Sequence, residues 1–152
     1  MATFKALSRG SQLVLVAGPL LFFSLFFTWQ YVPVDYGRAG VAKLSMDGWD
    51  AWGLLIALLV LTIVVIVALL NFTEDELSED IAWPALAFGM GAALLAVAVV
   101  KSATDAGSTW LSYVFVGLAG AVAVGTYLDW AHTRKAEQPA LARKRRGLRS
   151  AA

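Results

Sequence analysis

The chain has 152 residues, 59% of them hydrophobic and 15% charged, with a formal net charge of +1 and a mean hydropathy of +0.70. That balance lies far from a soluble domain's and excludes a soluble enzyme or a disordered chain, while the net charge points to no partner. There is no cysteine and one histidine, His132, so disulfides, thiolate metal sites, cysteine nucleophiles, a His-rich metal site and a Ser-His-Asp triad all fall away.

Residues 10–34, 51–73, 81–100 and 106–128 contain no Asp, Glu, Lys or Arg. A run of roughly 20 apolar residues crosses a bilayer core as a helix. The expected fold is therefore all-α: a four-helix transmembrane bundle with spans at about 12–30, 51–71, 81–101 and 109–130. Residues 1–132 form the membrane domain and 133–152 a basic tail, expected to be disordered.

The first segment begins like a signal peptide, with Lys5 and Arg9 before an apolar run. It lacks a small-residue cleavage site, since bulky aromatics follow, so it reads as an uncleaved anchor. Pro19 should kink it. Phe22, Phe23, Phe26 and Phe27 form one aromatic face for lipid contact or packing. The loop 31–50 reads as a small β-hairpin. Val32, Val34 and Tyr36 alternate before Gly37 and Gly40, Val41, Lys43 and Ser45 alternate after them, and Pro33 marks an edge strand. Asp47-Gly48-Trp49-Asp50 offers too few carboxylates for calcium, so it reads as a turn in which Asp50 caps the second helix.

The second segment is rich in Leu, Ile and Val and suits lipid contact. Five acids follow at 74–80, and Thr73-x-x-Glu76 has the spacing of a capping box that could start a short surface helix. In the third segment Ala85, Gly89 and Ala93 stand four apart; in the fourth, Gly117, Ala121 and Gly125 do the same. Small residues at this spacing let backbones approach, so the two segments should pack as a tight hairpin, with a homodimer through the fourth as the sharper reading. Lys101 and Asp129 read as boundary residues, Lys101 snorkelling to water, with Asp129 placed to pair with His132 one turn on. Six tryptophans (Trp29, Trp49, Trp52, Trp83, Trp110 and Trp130) fall near span ends and read as interface anchors.

The N-terminus, the second loop and the tail hold nine Lys/Arg against three in the other loops, which places both termini in the cytoplasm. In the tail, Arg143, Lys144, Arg145, Arg146 and Arg149 suit anionic lipid headgroups or an acidic partner. Nucleic acid is disfavoured because the run is short and has no aromatic for stacking.

Leu25-Phe26-Phe27-Thr28-Trp29 followed by Gly48-Trp49-Asp50-Ala51-Trp52-Gly53 resembles a group of small four-span membrane proteins of actinobacteria. In that group a Phe-Leu-Pro-Trp-type motif ends the first helix and a Trp precedes the second; Thr28 stands here where the group usually has Pro. The resemblance covers roughly residues 10–70. It implies a multi-pass protein of a bacterial plasma membrane and carries over no activity and no catalytic residue.

No span centre holds an ionisable group, which counts against a pump or a self-contained transporter. The sequence thus favours a non-enzymatic accessory, scaffold or assembly subunit, with the bilayer and a membrane-protein partner or a second copy as its contacts. The alternatives are a small oligomeric transporter or channel and an envelope sensor reading through loop 31–50. No catalytic, cofactor-binding or metal-ligating residue is expected.

Overall fold

A computed structural model describes residues 4–73, 81–105 and 107–150, apart from the side chains of residues 39 and 137–150. Its elements are α1 (Arg9–Ser24), β1 (Thr28–Asp35), β2 (Val41–Asp47), α2 (Ala51–Phe72), α3 (Trp83–Thr104) and α4 (Trp110–Ser150). The four helices form an antiparallel ring in which each packs on the next and α4 closes back on α1. Three of them are long and apolar enough to cross a membrane: Ala51–Phe72, Trp83–Thr104 and the stretch Trp110–Ala136. At 16 residues, α1 is shorter, about 24 Å at 1.5 Å per residue.

The early stop of α1 corrects the expected span to residue 30, and its cause is local. The N–H groups of Leu25, Phe26 and Phe27 turn back to the carbonyls of Phe22, Phe23 and Ser24 at 3.2 Å each. Ser24 Oγ donates to Leu21 O (2.6 Å) and the Trp29 indole donates to Ser24 O (2.9 Å). These bonds satisfy the carbonyls that a helix end leaves open, and Thr28 onward is free to form a strand.

The hairpin expected in loop 31–50 is present and begins earlier, at Thr28. Its register pairs Tyr31 with Ser45, Pro33 with Lys43 and Asp35 with Val41. Gly37 and Gly40 carry the turn with φ of 65° and 93°, conformations a side chain would strain. Between Thr28 and Gln30 the register slips by one residue, a bulge that leaves Trp29 without a cross-strand partner. That bulge turns Trp29 inward. The loop between α3 and α4 then borders β1: Thr109 N–H donates to Trp29 O (2.9 Å), Thr109 Oγ1 to Thr28 O (3.1 Å) and Tyr31 N–H to Gly107 O (3.2 Å).

The buried seam of α3 is Ala87, Gly91, Leu94, Ala98 and Lys101. Along α4, Ser112, Phe115, Ala119, Val122 and Thr126 are buried. Both series alternate steps of three and four, the 3.5-residue repeat of a left-handed bundle. Gly91 is needed where α3 meets α4, because a Cβ there would stand 2.5 Å from Thr126 Oγ1 and 3.3 Å from the Ala123 backbone. In a bilayer, such packing and internal hydrogen bonds, not the exclusion of water, hold helices together.

The two small-residue stripes sit differently from what their spacing suggests. Segments 3 and 4 do pack as a hairpin, but Ala85, Gly89 and Ala93 face outward, as does Gly117, while Ala121 is half-buried. Gly125 is buried against α1, where a Cβ would lie 2.8 Å from Gly10 O and from Val14 Cγ2. The physical reason is that the seam follows the 3-4 repeat and mixes sizes, whereas a four-residue stripe drifts around the helix. The backbone of α4 continues as helix to Ser150. The capping box from Thr73 lies partly outside the described residues, as do the acids at 74–80; Thr73 itself ends α2, its N–H donating to Leu69 O (3.2 Å).

Candidate functional site

The bundle carries one polar cluster at each end and a dry middle. Val14, Leu21, Ile56, Val60, Ile63 and Leu94 are fully enclosed. Between α1 and α2, Gly18 and Pro19 leave an apolar hollow of about 260 Å³ against Val60 and Val64.

At the hairpin end, Lys101 is fully buried, which overturns the expectation that it snorkels. Its Nζ donates to Asp50 Oδ2 at 2.5 Å and lies 3.0 Å from Asp105 Oδ2. The Asp105 oxygen has no hydrogen bond, so that contact acts through charge alone. Asp50 divides its two oxygens: Oδ1 accepts from Gly53 N–H at 2.7 Å, capping α2 as expected, while Oδ2 takes the lysine. The ammonium also sits 5.1 Å from the Trp29 ring centroid. That ring meets Phe115 edge-on, with centroids 4.0 Å apart at 71°. Trp29, 1% exposed, is thus a core residue and not an interface anchor. Its role depends on the strand bulge, which the bare sequence does not display.

The remaining tryptophans divide. Trp52 and Trp110 are exposed. Trp49 is half-buried and meets Phe22 and Phe26 edge-on at 5.8 and 5.0 Å. Trp83 is half-buried, and Trp130 stacks on Phe88 (4.9 Å, 12°) beneath the Arg134 guanidinium. Arg143, Lys144, Arg145, Arg146 and Arg149 lie on α4 beyond the described side chains.

At the opposite end, Asp129 does not pair with His132. It ties α4 to α1: Ser8 Oγ donates to its Oδ1 and Ser11 Oγ to its Oδ2 (2.9 Å). Ser8 also caps α1 by accepting Ser11 N–H at 2.9 Å. Asn71 joins α2 to the group, its Nδ2 donating to Ser11 Oγ (3.2 Å) and to Val67 O (2.7 Å). The carboxylate lies over Gly10, where a Cβ would strike Asp129 Oδ1 and Gly125 O. Around these groups is a cavity of about 270 Å³ that Thr126 and His132 also line. Among the described residues no three His, Asp or Glu side chains gather as a metal site would require.

The polar residues of the spans were the available signal for both clusters. In lipid, polar side chains turn toward the bundle interior. Ser112 and Thr126 stand two heptads apart on the α4 seam, and Lys101 ends the α3 seam.

No family model matches the chain, and no curated protein or solved structure was found to be similar to it.

Proposed function

We propose that this is a four-span protein of a bacterial plasma membrane with both termini cytoplasmic, acting as a non-enzymatic accessory or scaffold subunit of a membrane complex. One observation carries the reading, the contrast between two outer faces. α2 presents Leu54, Leu55, Leu58, Leu61 and Val65 outward, a surface suited to acyl chains. α3 presents Ala85, Gly89, Ala92, Ala93 and Ala96 in its first and middle turns, with Leu86, Val99 and Val100 also exposed, and a Cβ added at Gly89 would meet nothing within 4 Å. A face that small admits a second helix at close range. A crossing by α1 is supported by its close packing along α4, beginning where Gly10 and Val14 meet Gly125.

The test is purification from the native host in mild detergent after crosslinking, with co-purifying proteins identified by mass spectrometry. A stoichiometric partner is expected, retained by Leu58→Ala in α2 and lost by Gly89→Leu in α3. A homo-oligomer without another protein would overturn the accessory reading and turn attention to solute flux.

The hairpin favours a second reading, an envelope sensor. Tyr36, Val41 and Leu44 are 60%, 67% and 54% exposed at its surface, more apolar area than a hairpin tip needs. A partner lost by Val41→Ser with Leu44→Ser, yet kept by Gly89→Leu, would select it.

A further inference from the structure

The carboxylate of Asp129 is half-buried, and among the described residues no Lys, Arg or His forms an ion pair with it. The Ser8 and Ser11 hydroxyls donate to it but bring no charge. Asn71 lines the same cavity, and its Oδ1 accepts no hydrogen bond among the described residues. The cavity is thus lined by a carboxylate, an amide and hydroxyls together with the apolar Val67, Leu70 and Ala87. A bare divalent ion wants more oxygen ligands around it, and more charge, than one carboxylate supplies. The space, about 270 Å³, is also many times the roughly 30 Å³ of a water molecule. A primary ammonium on an organic body fits better, because it brings three N–H donors and one positive charge.

A second hollow of about 500 Å³ adjoins the first, sharing Ser8 and His132 and lined also by Arg9, Gly10 and Leu128. Arg9 forms no ion pair among the described residues. A guanidinium without an ion pair among the described residues is a fitting partner for phosphate. A cation site and an anion site therefore stand side by side, with Gly10 between Arg9 and the Asp129 carboxylate that lies over it.

We propose that this end of the bundle binds a phosphoethanolamine group, Asp129 and Asn71 receiving the ammonium and Arg9 the phosphate. The group comes either from a phosphatidylethanolamine headgroup or from a soluble phosphoethanolamine. The site is independent of the accessory role; only the lipid source requires that this end lie at headgroup level.

The full chain in detergent is titrated with phosphatidylethanolamine, phosphatidylcholine, phosphatidylglycerol and free phosphoethanolamine. Binding is read by native mass spectrometry and by the shift in melting temperature. Phosphatidylethanolamine is expected to bind best, because the choline nitrogen has no N–H and the glycerol headgroup has no cation. Asp129→Asn should weaken it about tenfold or more, the scale of a charge-assisted hydrogen bond. Arg9→Ala should weaken both phosphoethanolamine forms, while free ethanolamine, titrated alongside as a control, should bind unchanged. Competition by free phosphoethanolamine at equal concentration assigns the soluble source; its failure to compete assigns the headgroup. If Asp129→Asn does not fold, Asn71→Ala tests the same ammonium contact and should lower the preference over phosphatidylcholine. Equal binding of the three lipids, or an unchanged preference in these variants, would overturn the proposal.

Discussion

The two ends of the bundle handle buried charge in opposite ways. At the hairpin end a lysine with no exposure is matched by two carboxylates and roofed by Trp29 and the strand bulge. At the other end the Asp129 carboxylate is held by hydroxyls beside open space. Desolvating an ion is costly unless a counter-charge and hydrogen bonds replace water. The hairpin end meets that condition within the chain, so it acts as a closure. Among the described residues the Asp129 end leaves its charge without an ion-pair partner, and it retains room for a ligand.

Breaking the closure should have the largest effect. Lys101→Ala leaves Asp50 and Asp105 facing each other without the cation, and a loss of about 3–5 kcal/mol is expected. Denaturant unfolding in detergent micelles measures it. The triple variant Lys101→Met, Asp50→Asn, Asp105→Asn should recover most of that loss, since an apolar or neutral replacement of the whole cluster costs far less than an orphaned partner. A triple variant no better than Lys101→Ala would mean the cluster's geometry, not its charge balance, closes this end.

Next in size is the seam where α1 meets α4. Gly10→Ala would drive its Cβ into Asp129 Oδ1 and the Gly125 carbonyl, and backbone cannot yield as a side-chain tip can. Overpacking of this kind costs about 1–3 kcal/mol, read as a lower unfolding midpoint. An unaffected midpoint would show that α1 docks less closely than its glycine suggests. The smallest effect belongs to the outward face. Gly89→Ala meets nothing within 4 Å, and replacing a helical glycine by alanine should stabilise the isolated chain by about 0.4–1 kcal/mol. The contrast between Gly10→Ala and Gly89→Ala sorts inward from outward glycines without a ligand.

Much of the architecture could be read from the charge-free windows, and the hairpin from its alternation and its glycines. The orientation of each helix could not, because nearly every residue in a span is apolar and no face stands out. The four-residue small stripes on α3 and α4 looked like the contact, yet Ala85, Gly89 and Gly117 face away. Lys101 was misread because its position at a span end suits snorkelling equally well; only the approach of Asp50, 51 residues earlier, makes burial feasible. Trp29 was misread because a strand bulge reverses which way a residue points, and bulges have no sequence signature in a segment this apolar. At the other end the sequence singles out Asp129 and His132 but not Ser8, Ser11 and Asn71, whose relevance arises from the ring closing α1 onto α4.

That ring closure has a consequence for how the chain is made. Ser8 and Asp129 are 121 positions apart, so at ribosomal rates of about 5–20 residues per second the serines wait roughly 6–24 s for their carboxylate. During that interval α1 has no α4 against Gly10 and Val14, and β1 lacks the border that Gly107 and Thr109 later supply. The earliest made of these four helices is therefore the last to be locked in place, and a nascent chain stalled before α4 would expose its incomplete seam to the insertion and quality-control machinery.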